Sequence, residues 1–204
     1  MKLHPVILQL LPEDLRLHGR ARLLAQSRRA RQALARSCEA SGVSLGPLKK
    51  GDRNAPLPFR GTFWSLSHKP RFVAAVVGPV PIGIDIEEIT PRTEGLLAYI
   101  ASKAEWALAD FSWETFFRFW TAKEAVLKTV GVGLTHLTRA RIHAILDPDN
   151  LVISYASKLW AVRHFRFQDH IVSLTHEGHE IAWNLVLEPH ALDDPVPVPP
   201  QPQA

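Results

Sequence analysis

Two of the most apolar stretches of this chain carry carboxylates, and they do so with different periods. In "GIDIEEI", residues 83–89, Ile84 and Ile86 alternate with Asp85 and Glu87. Period two predicts a strand. The isoleucines then pack inward, and Asp85 and Glu87 stand together on the opposite face, with Gly83 leaving room beside them. Further on, "SWETFFRFWTAKEAVLKTV", residues 112–130, follows a helical pattern with Ser112 as its cap and Gly131 as its stop. Phe116, Trp120, Glu124 and Lys128 recur every fourth residue and form one stripe. The aromatic side chains demand burial, and they draw Glu124 inward with them. Whatever fold the chain adopts must accommodate acids from both a strand and a helix in apolar surroundings.

Each stretch also has a plainer reading. A half-exposed strand alternates in the same way with its acids facing water, and Glu124 with Lys128 is a common intrahelical pair. The sharper reading is a cation shared by Asp85, Glu87 and Glu124. Carboxylates with no His or Cys beside them are hard donors, which suit Mg²⁺ or Mn²⁺ over zinc or copper. Mg²⁺ keeps open positions for water and substrate phosphate. Lys123, Lys128, His68 and a basic N-terminal third supply counter-charge for phosphates. The chemistry indicated is phosphoryl transfer.

Charge is distributed unevenly. Residues 1–60 hold twelve Lys and Arg against four Asp and Glu, and the rest of the chain holds twelve against sixteen, so the N-terminal part should attract anions. "RARLLAQSRRARQALAR" predicts a helix with Leu23, Leu24, Ala30 and Leu34 at helical spacing. Its arginines either face solvent or bind an anion. "GPLKKGDRNAPLPFRGTF" reads as a loop and "WSLSHKPRFVAAVVG" as a strand preceding the acidic one. After Gly133, "ARIHAIL", "LVISY", "LWAVRHFRF", "HIVSL" and "EIAWNLVLE" predict an antiparallel sheet with hairpin turns such as "DPDN". "SLSHKPRFVA" at 65–74 returns as "SLTHEGHEIA" at 173–182, which suggests duplication and makes His176 its relic. The single cysteine, Cys38, excludes an intrachain disulfide. No apolar run approaches the ~20 residues of a membrane span. Pro5 and Pro12 bracket the first apolar run with no cleavage site after it, so the expected compartment is the cytoplasm.

"GIDIE", "WTAKEAVLK" and the upstream "SLSH", in this order, resemble the 4′-phosphopantetheinyl transferases of the longer surfactin-type and enterobactin-type branch, over about residues 28–134. The resemblance implies an α+β fold of two similar α/β halves related by a pseudo-twofold, each a small, mainly antiparallel sheet packed with helices. The halves would be residues 1–90 and 91–188, followed by a Pro-rich, disordered tail at 189–204. It implies a holo-acyl-carrier-protein synthase with Mg²⁺ on Asp85, Glu87 and Glu124. It places Lys128 on the coenzyme A pyrophosphate and Lys123 beside the metal glutamate as a further cofactor contact. Ser67 and His68 match a pair at the nucleotide, Arg53 a nucleotide contact, and Arg28 and Arg31 the arginines of the N-terminal helix that reach the 3′-phosphate. Val132 stands where many relatives carry a lysine, and the loop before "SLSH" lacks their Gly-Lys-Pro. Without the family, Ser67 reads as a turn hydroxyl capping the next strand.

The implied reaction moves phosphopantetheine from coenzyme A to a carrier-protein serine and releases adenosine 3′,5′-bisphosphate. The catalytic residues would be Lys128, holding the pyrophosphate, and as base Glu124 or a metal-bound water positioned by Glu87. The implied partners are coenzyme A and an acidic acyl or peptidyl carrier protein, without nucleic acid or membrane, and the chain should be a monomer whose halves mimic a dimer. Two rivals use the same residues otherwise. One is an Mg²⁺-dependent nucleotide phosphohydrolase. The other is a non-catalytic, basic nucleic-acid-binding protein with stacking tryptophans, although the tryptophans sit in apolar patterns and read as core.

Overall fold

The computed structural model describes residues 2–51 and 55–188. In chain order come β1 (Val6–Gln9), the single turn α1 (Pro12–Leu15), the long α2 (Gly19–Ser41), β2 (Phe63–His68), β3 (Phe72–Gly78) and β4 (Ile84–Glu88). The short α3 (Gly95–Ile100) and α4 (Lys103–Trp106) lead into α5 (Trp113–Val130). The strands β5 (Arg141–Asp147), β6 (Asn150–Tyr155), β7 (Lys158–Phe167), β8 (His170–Thr175) and β9 (Asn184–Val186) follow. They form a mixed α+β structure with two sheets, ordered β2-β3-β1-β9 and β4-β8-β7-β6-β5. Pairing is antiparallel except between β1 and β9.

Three apolar clusters define the layers. Ala30, Ala33 and Leu34 of α2 pack on Val6, Leu8, Val73, Ala75 and Val77 of the first sheet. Ile7, Phe72, Ala74 and Val76 meet Ile84, Ile86, Val172 and Leu174 between the sheets. Phe116, Phe119, Ala122 and Val126 of α5 cover Ile142, Leu151, Ile153 and Val162 on the far side of the second sheet. β4 is therefore buried on both faces. Asp85 is 2% and Glu87 3% exposed, which overturns the half-exposed reading of this strand.

α5 begins and ends where its caps predict. The Ser112 hydroxyl accepts from the Thr115 N–H, and Gly131 takes the left-handed conformation at φ 75°. The helix approaches β4 so closely that a Cβ on Gly83 would lie 1.9 Å from the Ala125 carbonyl oxygen and 2.6 Å from Thr129 Oγ1. Backbone cannot yield as a side-chain tip does. Gly83→Ala should therefore cost about 3 kcal/mol, the upper end of overpacking penalties. A urea midpoint equal to that of the unaltered chain would contradict this packing.

Several expectations need correction. Leu23 and Leu24 are 57% and 60% exposed; on their part of α2 it is Ala25, Gln26, Arg29 and Ala30 that face inward. Small side chains let the helix lie close to the sheet. Buried Arg29 donates to the Gln9 carbonyl at 2.8 Å and pairs with Glu188. "WSLSHKPRFVAAVVG" is a hairpin of β2 and β3, not one strand, because the chain turns at Lys69 and Pro70 and the Lys69 N–H closes on the Phe72 carbonyl. The two copies of the repeat are placed differently. The first forms that hairpin, whereas the second ends β8 and then crosses to the first sheet, where Ile181 bridges Leu3. The repeat alone establishes no twofold between halves. Strands also cross the expected boundary at residue 90 in both directions, β4 joining the second sheet and β9 the first. The Pro-rich stretch 189–204 lies outside the described residues.

Candidate metal centre and its cationic rim

β2 and β4, the terminal strands of their sheets, lie side by side. The Ile84 N–H donates to Ser65 Oγ at 3.1 Å, and Ser67 Oγ donates to Asp85 Oδ1 at 2.8 Å. α5 presents Glu124 from the other side. One carboxylate oxygen from each of Asp85, Glu87 and Glu124 lies within 4.8 Å of the other two. Strand spacing aligns the first two, and the buried aromatic turn of α5 positions the third.

The partners of these oxygens define the site's charge. Asp85 Oδ1 also accepts from Lys128 Nζ at 2.7 Å, and Lys128 donates in addition to the Ile84 carbonyl at 3.0 Å. Lys69 Nζ meets Glu87 Oε1 at 2.6 Å. The Trp120 indole N–H donates to Glu124 Oε1 at 2.7 Å. Asp85 Oδ2 is buried without a hydrogen-bond partner among the described residues. Burial, and then the neighbouring Asp85 charge, push the Glu87 and Glu124 carboxyls well above the usual carboxylate range. Two ammonium groups against three acids leave negative charge uncompensated. An all-oxygen donor set with a bare buried oxygen fits a hard divalent ion. The plainer reading of Lys128 as the intrahelical partner of Glu124 gives way, since its ammonium is held by Asp85 on another element.

A basic rim adjoins the acids. His68 stands at the open end of β2; partial desolvation of its ring and then the charges of Lys128, Lys69 and Lys50 lower its pKa. Beside Glu87 opens a cleft of about 290 Å³ lined by Lys69, Arg92, Leu96, Phe117 and Trp120. Lys50, Lys69 and Trp120 were not singled out as site residues from sequence. Trp120 opens "WTAKEAVLK" and Lys69 directly follows "SLSH", whereas Lys50 sits in the loop stretch, outside every motif.

Other candidates lie elsewhere. Lys123 is 1% exposed, and its ammonium donates to Glu105 Oε1 and to the Ile100 carbonyl, both at 2.6 Å. Successive helical residues point about 100° apart, so Lys123 cannot follow Glu124 into the cluster. Its ammonium is thus engaged within the fold, away from the acid cluster. Ser67, at 7% exposure, serves Asp85 from within the fold. Arg28 donates to Asp14 at 2.8 Å and Arg31 to Ser27 at 3.0 Å, and neither is paired with Asp85, Glu87 or Glu124. Arg31 lines a separate cleft of about 340 Å³ with Leu34, Cys38, Val43 and Leu45. Arg53 lies outside the described residues. None of the six tryptophans is exposed, which leaves little free ring surface for stacking on bases. Among the described residues no helix is long and apolar enough to cross a membrane.

The family model of the 4′-phosphopantetheinyl transferase superfamily matches residues 81–183, a span that holds β4 and α5 and with them all three carboxylates. A 4′-phosphopantetheinyl transferase of Bacillus subtilis is 30% identical over 113 residues, 52% of this chain and 50% of that protein. The 4′-phosphopantetheinyl transferase psf-1 of Bacillus pumilus is 33% identical over 78 residues, 36% of this chain and 34% of that protein. The chain thus spans half the length, or less, of these curated relatives.

Proposed function

The chain belongs to the 4′-phosphopantetheinyl transferase superfamily, and on that premise we propose that it transfers the 4′-phosphopantetheine arm of coenzyme A to a serine of an acyl or peptidyl carrier protein. The observation that carries this reading is the convergence of Asp85, Glu87 and Glu124, with one Asp85 oxygen buried without a hydrogen-bond partner among the described residues and Lys128 and His68 at the edge. These three acids would hold Mg²⁺ or Mn²⁺. The bound ion supplies neutralising charge to a diphosphate.

The serine oxygen attacks the β-phosphorus of coenzyme A, and the bond from that phosphorus to the bridging oxygen breaks. Adenosine 3′,5′-bisphosphate leaves with the bonding pair. Lys128, oriented by Asp85 and the Ile84 carbonyl, donates toward the charge that grows on the leaving oxygen. Glu124, oriented by the Trp120 indole N–H, takes the serine proton. Glu87 would complete the set of acids that holds the ion. The excess of Lys and Arg in residues 1–60 supports an acidic carrier as partner and offers it a docking field.

Incubation of the chain with coenzyme A, Mg²⁺ and an apo carrier protein, followed by mass measurement of the carrier, tests the reading. A phosphopantetheine mass gain is expected. Release of free phosphate with no gain would select hydrolysis, and salt-sensitive retention of an oligonucleotide with neither would select nucleic-acid binding.

A further inference from the structure

Lys69 belongs to none of the motifs that announce the site, yet its ammonium sits 2.6 Å from Glu87 Oε1 and feels the attraction of Asp85 and Glu124 as well. The pair is lopsided. The Glu87 side chain is 4% exposed and fixed in β4, whereas that of Lys69 is 34% exposed, on a flexible stem rooted in the turn between β2 and β3. The cleft beside Glu87 gives its ammonium space to move. Lys128 is held differently, by both Asp85 and a backbone carbonyl. Of these two counter-ions, Lys69 is the one free to leave.

A divalent ion bound by all three acids must take an oxygen of Glu87. Like charges at contact distance repel strongly in a half-buried site, so the ion and the Lys69 ammonium compete for that carboxylate. An ammonium expelled from Glu87 stays tethered within a rim that already holds Lys50, His68 and Lys128. Such a rim suits a polyanion. We infer that Lys69 is an exchangeable counter-ion, neutralising Glu87 when no divalent cation is bound and, once displaced by one, serving as a ligand for the phosphate groups that arrive with it. The identity of that anion as the diphosphate of coenzyme A rests on the transferase reading above.

The inference carries two shifts of opposite sign. Lys69→Met removes the competitor, so Mn²⁺ alone should bind more tightly, on the order of tenfold. The same substitution removes a phosphate ligand, so coenzyme A at saturating Mn²⁺ should bind more weakly, again on the order of tenfold. Lys69→Gln should repeat both shifts, and Lys69→Arg, which keeps the charge, should bind Mn²⁺ like the unaltered chain. Calorimetry of Mn²⁺ alone, and then of coenzyme A at saturating Mn²⁺, measures each constant without turnover. A structural role would weaken both affinities together, and a merely repelling charge would tighten Mn²⁺ while sparing coenzyme A; either outcome overturns the assignment. If the unaltered chain binds neither probe, the transferase reading fails and this inference with it. If it binds both and the neutral variants lack the paired shifts, the Lys69 assignment alone fails.

Discussion

Asp85→Asn should sharply slow transfer and remove the thermal stabilisation that Mg²⁺ is expected to give the unaltered chain, while the metal-free variant melts no lower than the metal-free parent. Asp85 is the hub of the cluster. It is the acid whose charge acts on both Glu87 and Glu124, and its Oδ1 anchors Lys128 and Ser67. Asparagine keeps that oxygen, and its amide takes the place of Oδ2, the atom without a partner. The repulsion that burial makes costly is relieved, which offsets the weaker hold on Lys128. The same change removes one of three anionic donors and loosens the group aimed at the leaving oxygen. A rate loss on the order of 10³-fold is expected, comparable to deleting a preorganised electrostatic contact. The decisive measurement is a pair of melting curves with and without Mg²⁺ for each protein. An undiminished Mg²⁺-dependent rise in the variant would remove Asp85 from the ligand set and take the shared-ion reading with it.

The elements that build this site were legible because their signals are local. Alternation in "GIDIE" puts Asp85 and Glu87 on one face whatever the strand pairs with, and Ser112 and Gly131 bound α5 through chemistry confined to its ends. What escaped the sequence depends on partners distant in the chain. The period of β4 does not tell that a helix and a second sheet close over both its faces. The stripe Phe116-Trp120-Glu124-Lys128 has the right residues, but only the packing of α5 on β4 hands Lys128 to Asp85. Lys69 finds Glu87 across the boundary between two sheets. β9 is three residues long, too short for a period to appear. Leu23 and Leu24 share the helical spacing of Ala30 and Leu34 yet lie outside, because the close approach of α2 to the sheet selects alanine for its inner face.

Glu105→Ala should cost about 3–5 kcal/mol of stability, the usual consequence of leaving one half of a buried ion pair behind. Glu105 ties three elements together. Its Oε1 accepts from Lys123 Nζ of α5 at 2.6 Å and from the Ile142 N–H of β5 at 2.8 Å, and its Oε2 accepts from the Ser102 N–H that caps α4 at 2.8 Å. Without the carboxylate, the Lys123 ammonium is left with the Ile100 carbonyl alone among these partners. Lys123→Met should cost less, because Glu105 keeps two backbone donors. Combining Lys123→Met with Glu105→Leu should recover part of the loss and no more, since the Ile142 N–H still lacks its acceptor. The pH dependence has a definite sign. Burial raises the Glu105 pKa, but the hydrogen bonds from Lys123, Ser102 and Ile142 outweigh it and hold it below the ordinary glutamate value. Its contribution is therefore complete above that ordinary value and fades as pH falls through the lowered one. Urea unfolding of the unaltered chain and of Glu105→Gln across this range should converge toward acid. A Glu105→Ala loss under about 1 kcal/mol would place this pair among ordinary surface contacts and would reopen Lys123 as a residue kept for the reaction instead of the fold.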